Sequence, residues 1–101
     1  MGYLLYGRPA ETIEVDDRAL AHLKIVMIAK LRRGEPFAFS FEYGLDGPDG
    51  RSTVWLHPAI PLQFSFDDPQ QPPINRRWID ELVVSANSVD GLRIIPEPAE
   101  G

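Results

Sequence analysis

From residue 37 to residue 57 the sequence describes a β-hairpin. Phe37, Phe39, Phe41 and Tyr43 alternate with Ala38, Ser40 and Glu42. That period of two turns an aromatic face toward a core and a small, polar face away from it. The run from Gly44 to Gly50 (G-L-D-G-P-D-G) is built of turn formers and reads as the hairpin loop. Ser52 to His57 returns, with Val54 and Leu56 on one face and Thr53, Trp55 and His57 on the other.

Two helices are expected beside this hairpin. Leu20, Leu23, Met27 and Leu31 form a stripe at helical spacing, flanked by Val26 and Ile28. Asp16-Asp17 opens the segment with a cap and with charge suited to the positive end of the helix dipole. Arg32-Arg33 suits the other end, and Gly34 stops it. Ile25 and Ala29 fall near the opposite side. Either the helix is contacted twice, or Ile25 belongs to an exposed patch that meets a partner. In the second helix Asn75 is the cap, and Trp78, Leu82 and Ala86 are the buried stripe.

Four shorter strands complete the reading. Tyr3–Tyr6 and Thr12–Val15 pair through a turn at Gly7, Arg8 and Pro9. Leu62, Phe64 and Phe66 alternate with Gln63 and Ser65, after a bend between Pro58 and Pro61. Leu92–Ile95 comes last. The fold class is therefore α+β: a two-layer sandwich of order β-β-α-β-β-β-α-β, its mainly antiparallel sheet carrying two helices on one face. With 101 residues there is room for one core, so residues 1–98 form a single domain and 99–101 a loose tail. The other sheet face is then solvated or covered by another molecule, and Trp55 points that way.

Composition removes several functions. Without cysteine there is no disulfide scaffold, thiolate zinc site or iron–sulfur cluster. Tyr3–Tyr6 is too short for a signal peptide, and no apolar run approaches the roughly 20 residues that span a bilayer, so a cytoplasmic location without membrane contact is expected. The net charge of −5 disfavours nucleic acid. Yet Arg18, Lys24, Lys30, Arg32 and Arg33 follow one another with no Asp or Glu among them, and Arg76-Arg77 opens the second helix, where cations oppose the dipole.

The candidate residues follow from these patterns. His57 is read as a strand-end histidine bonded to nearby backbone, with general base or metal ligand as the alternative. His22 is read as lying on the polar side of its helix. Two histidines without a motif make no zinc site. No G-x-S-x-G, P-loop or calcium-loop pattern occurs, and the carboxylates Asp46 and Asp49 are read as part of a tight hairpin loop. No cofactor or metal is expected.

The runs M-G-Y-L-L-Y-G, D-D-R-A-L-A-H-L-K-I-V-M-I-A-K-L-R-R-G-E-P-F, G-R-S-T-V-W-L-H-P-A-I-P-L-Q-F and S-A-N-S-V-D-G-L-R-I-I-P-E-P resemble a family of bacterial proteins of this length and of unknown function. Some of its members carry the label "ATP-dependent DNA ligase". The resemblance covers nearly the whole chain and implies no activity or catalytic residue. The ligase label fails on the residues. Lys24 is followed by Ile-Val-Met and Lys30 by Leu-Arg-Arg, so neither stands in the K-x-D-G setting that an adenylated lysine needs.

Three functions are carried forward. The leading one is a non-enzymatic interaction module that forms a homodimer, with Ile25, Trp55 and His57 at the interface. The second is a nucleic-acid accessory protein with Arg18, Lys30, Arg32, Arg33, Arg76 and Arg77 on phosphates and Trp55 stacking on a base. The third is an enzyme of unrecognised type using His57, Ser40 and Glu42.

Overall fold

The computed structural model describes residues 1–43 and 50–99. Residues 44–49 of the expected hairpin loop, with Asp46 and Asp49, and the last two residues of the expected tail lie outside them, while Gly50, expected in the loop, begins β4. The element order is β1 (Gly2–Tyr6), β2 (Glu11–Val15), α1 (Asp17–Arg32), β3 (Phe37–Tyr43), β4 (Gly50–Leu56), β5 (Leu62–Ser65), α2 (Arg76–Ala86) and β6 (Leu92–Arg93). This is the α+β class and order that the sequence predicts.

The strands divide into two three-stranded sheets, β2-β1-β5 and β4-β3-β6. Pro58 and Pro61 separate β4 from β5, and the chain turns there through a bond from the Ile60 amide to the His57 carbonyl at 3.0 Å. β5 therefore leaves the hairpin and pairs antiparallel with β1. β3 and β4 pair antiparallel over their whole length, Phe37 opposite Leu56 and Glu42 opposite Arg51. β6 joins parallel to β3, with Phe39 opposite Leu92 and Ser40 opposite Arg93. The Tyr6 hydroxyl donates to the Trp55 carbonyl and ties the two sheets together.

One core runs through both layers. Leu4 and Ile13 from the first sheet, Phe39 and Leu56 from the second, and Leu20, Met27, Trp78 and Leu82 from the helices share it. Each of these residues follows the spacing that its element imposes.

Helix ends are fixed where the sequence marks them. The Asp16 carboxylate accepts from the Ala19 amide at 3.2 Å and caps α1. At the other end Gly34 adopts φ +74. The Glu35 amide then reaches the Lys30 carbonyl, and the Gly34 amide the Leu31 carbonyl, both at 3.0 Å. That pair of bonds is a Schellman stop. Asp17 has a separate use: its carboxylate accepts from the amides of Asp67 and Asp68 and holds the loop after β5.

The helices run parallel. The Asn75 amide, at the start of α2, donates to His22 Nε2 at 2.9 Å. Lys30 Nζ reaches Asn87 Oδ1, just past the end of α2, at 2.7 Å. Among the described residues no helix is long and apolar enough to cross a membrane.

Candidate functional site

The side of the β4-β3-β6 sheet turned away from the helices carries a set of charged and hydroxyl side chains. Strand alternation sends Phe37 and Phe39 into the core and Ala38, Ser40 and Glu42 outward. Register then lines up three rows across the strands: Trp55 with Ala38, Thr53 with Ser40 and Arg93, and Arg51 with Glu42. The Ser40 and Thr53 hydroxyls share a hydrogen bond of 2.8 Å. An open groove of about 1070 Å³ reaches this face from the segment that follows β6: Ser40, Glu42, Arg51, Thr53 and Arg93 line it from the outer face, Phe41 and Ile95 from the core side, and Trp55 lies outside it. Glu42 faces Arg51 across the strands, and Asp90 shares the groove with Arg93. Yet among the described residues neither guanidinium is held in an ion pair. Trp55 stands at the end of the face, 56% exposed.

A second surface lies on the opposite side, along the groove between the helices. Contacts of His22 and Lys30 with α2 orient α1. Helical spacing then sets Ile25 and Ala29 at the rim of that groove from α1, and Ile79 and Val83 from α2. Ile25 is 37% exposed and Val83 40%, with Val84 at 72% one position further round α2. Ile25 also borders a smaller cleft, about 140 Å³, with Phe66 and Pro69.

The basic residues that stand close together in the sequence are dispersed. Arg18 grips Glu97 with two bonds, Nε to Oε1 at 2.7 Å and NH2 to Oε2 at 2.6 Å, and its NH1 donates to the Pro73 carbonyl at 2.9 Å. The Arg18 guanidinium, helped by the Asn75 amide, holds the Glu97 carboxyl well below the usual range, at about 2. Lys30 is buried, bonded to Asn87 and Glu35, with its ammonium over the Phe37 ring. Arg33 pairs with Glu35, and this contact first, then Lys30, lowers the Glu35 carboxyl. Arg77 pairs with Glu81 one turn on. Arg32 and Arg76 are exposed. Because the helices are parallel, Arg32 and Arg33 mark one end of the pair and Arg76 and Arg77 the other. These six cations do not gather on one surface.

His57 Nδ1 accepts from the Ala59 amide at 3.0 Å, so the ring closes the turn after β4. Phe37 faces Leu56, which puts His57 level with position 36. Ser40 lies four residues further along β3, about 13 Å away at the rise of a strand. His57, Ser40 and Glu42 are therefore not one constellation.

His22 is not on a polar side. It is fully buried. Its Nδ1 donates to the Arg18 carbonyl at 2.7 Å and its Nε2 accepts from Asn75, which requires the Nδ1–H tautomer. The ring lies against Trp78 with centroids 4.4 Å apart. The helix is contacted twice, by the sheets and by α2, and His22 is on the second contact. Asn75 extends the network: its side-chain oxygen caps α2 by accepting from Arg77 and Trp78, and its nitrogen donates to Glu97 and to the Pro98 carbonyl. The groove residues Arg51 and Arg93 also escape a sequence reading, since only the register of β6 brings them to one face.

The fold and these surfaces define a small two-layer α+β domain with an open sheet face. The chain belongs to the family described as Domain of unknown function (DUF7882), whose model matches residues 1–97. No curated protein and no solved structure matches it.

Proposed function

We propose that the protein is a non-enzymatic interaction module that works as a homodimer, joined through the outer face of its helix pair. The exposure of Ile25, Val83 and Val84 on that face carries this reading. Aliphatic side chains at the centre of a surface otherwise edged by Arg32, Arg76 and Asp80 are what a contact between identical chains uses. The open sheet face is a poorer choice for that contact. Two arginines, two carboxylates and two hydroxyls would have to be desolvated together there. Of the residues expected at an interface, Ile25 is therefore retained, and Trp55 and His57 are left on the displayed side.

Light scattering at tens-of-micromolar concentration tests the proposal. The expected mass is twice the 11.4 kDa of one chain. An Ile25→Glu, Val83→Glu double variant, folded by circular dichroism, is expected at the mass of one chain. Wild-type protein that stays at one chain's mass refutes the homodimer. A dimer unaffected by the double variant refutes its placement on the helices.

A further inference from the structure

We propose that the open face of the β4-β3-β6 sheet binds a nucleoside monophosphate, its phosphate over Ser40 between Arg51 and Arg93 and its base on Trp55. This reading is independent of the homodimer, because the two surfaces lie on opposite sides of the molecule.

Ser40 is the centre of the arrangement. Arg93 and Thr53 are its direct neighbours on either side. Arg51 and Trp55 are its two diagonal neighbours on β4, each about 7–8 Å away between Cα atoms and within reach of a long side chain. Two guanidiniums without an ion-pair partner among the described residues thus flank a pair of hydroxyls. Such a set supplies planar donors on two sides of a phosphate and hydroxyl donors beneath it. Both arginines stand near the carboxylates Glu42 and Asp90 and pair with neither, so among the described residues no ion pair must be broken to bind an anion.

The rest of the face selects the organic part of the ligand. Trp55 presents its ring to solvent about 7 Å along β4 from Thr53, two residues at the strand rise. A phosphate over Ser40 and a planar ring over Trp55 are then separated by roughly the length of one pentose. Stacking on an exposed indole does not depend on which base is present. Glu42 and Asp90 would repel a bare anion, but they accept hydrogen bonds from sugar hydroxyls and from exocyclic amines. A ligand with a phosphate, hydroxyls and an aromatic ring uses all three kinds of group, and inorganic phosphate uses only one.

Amide chemical shifts and the fluorescence of the exposed Trp55 are followed while AMP is added at low salt. Inorganic phosphate, adenosine, single-stranded oligoadenylate and polyglutamate are added in parallel. AMP is expected to move the Ser40, Thr53 and Arg93 amides and to quench Trp55. Arg93→Gln and Arg51→Gln, both at exposed positions, should each weaken AMP about tenfold or more at unchanged thermal stability. Trp55→Leu should weaken AMP and leave the weak response to phosphate unchanged. Oligoadenylate that binds with the same dependence on Arg51, Arg93 and Trp55 supports the site and makes a nucleic-acid strand the source of the nucleotide. AMP binding without oligoadenylate binding supports it with a free nucleotide as the source. Absence of any response to AMP on this face overturns the proposal. So does AMP binding indifferent to both arginines, phosphate bound as tightly as AMP, or polyglutamate preferred to AMP.

Discussion

Replacing Asn75 tests how the two helices and the C-terminal segment are held together. Asn75 is 1% exposed and spends every polar atom of its side chain. Its oxygen accepts from Arg77 and Trp78, and its nitrogen donates to Glu97 Oε2 and the Pro98 carbonyl, both at 2.9 Å. Asn75→Ala removes the cap, at a cost of about 1 kcal/mol. It also removes two donations in a buried setting, for about 1–2 kcal/mol more. The sum is about 2–3 kcal/mol, or a Tm lower by about 10–20 °C for a domain of this size. Asn75→Asp separates the two contributions. Asp caps a helix as well as Asn does. Here, however, its second oxygen replaces a donor and faces the Glu97 carboxylate and the Pro98 carbonyl. It should therefore lose at least as much stability as Ala at neutral pH. Urea and thermal unfolding followed by circular dichroism, at one protein concentration because the Tm of the proposed dimer would depend on it, give both values. An Asp variant as stable as wild type, or an Ala variant within about 0.5 kcal/mol of it, refutes this account of the network.

Three further outcomes are expected. His22→Phe keeps a ring against Trp78 but leaves the buried Asn75 amide without an acceptor; it should cost about 1–3 kcal/mol and speed hydrogen exchange at that amide. Gly91→Ala should lower stability by more than about 1 kcal/mol and loosen β6, since Gly91 has φ +79 and an added Cβ would lie 2.8 Å from the Ala38 carbonyl oxygen. Glu97 titrates near 2 in the folded chain against an ordinary 4.5, so its pairing with Arg18 stabilises the fold fully above pH 4.5 and is lost as the pH falls through about 2. A Glu97→Gln variant should therefore show a flatter dependence of stability on pH across that acid window, and an unchanged slope contradicts the assignment.

Much of the fold is legible in the residues because the signals are local. Alternation from Phe37 to Tyr43 sets β3, Asp16 and Gly34 bound α1, and Asn75 caps α2. What could not be read depends on where elements meet. A helical period reveals the stripe that faces the sheets, but the second contact that buries His22 exists only once α2 lies alongside. The prolines at 58 and 61 announce a bend, yet not that β5 would leave the hairpin and pair with β1. The basic run misleads for a simple reason: Arg18 and Arg32 are fourteen residues apart, about 21 Å along a helix, and Arg18 has already met Glu97 from the far end of the chain. Conversely Arg51 and Arg93 share a face through two strand registers, which no spacing in the sequence encodes.

The homodimer through the helix face is tested most directly by dipolar spectroscopy on singly labelled chains. With no native cysteine, Arg76→Cys beside the helix groove and Glu42→Cys on the sheet face each accept one nitroxide. The account predicts a distinctly shorter intermolecular distance from position 76 than from position 42, which lies on the opposite side of the molecule. The reverse order, or no intermolecular coupling at either position, contradicts it.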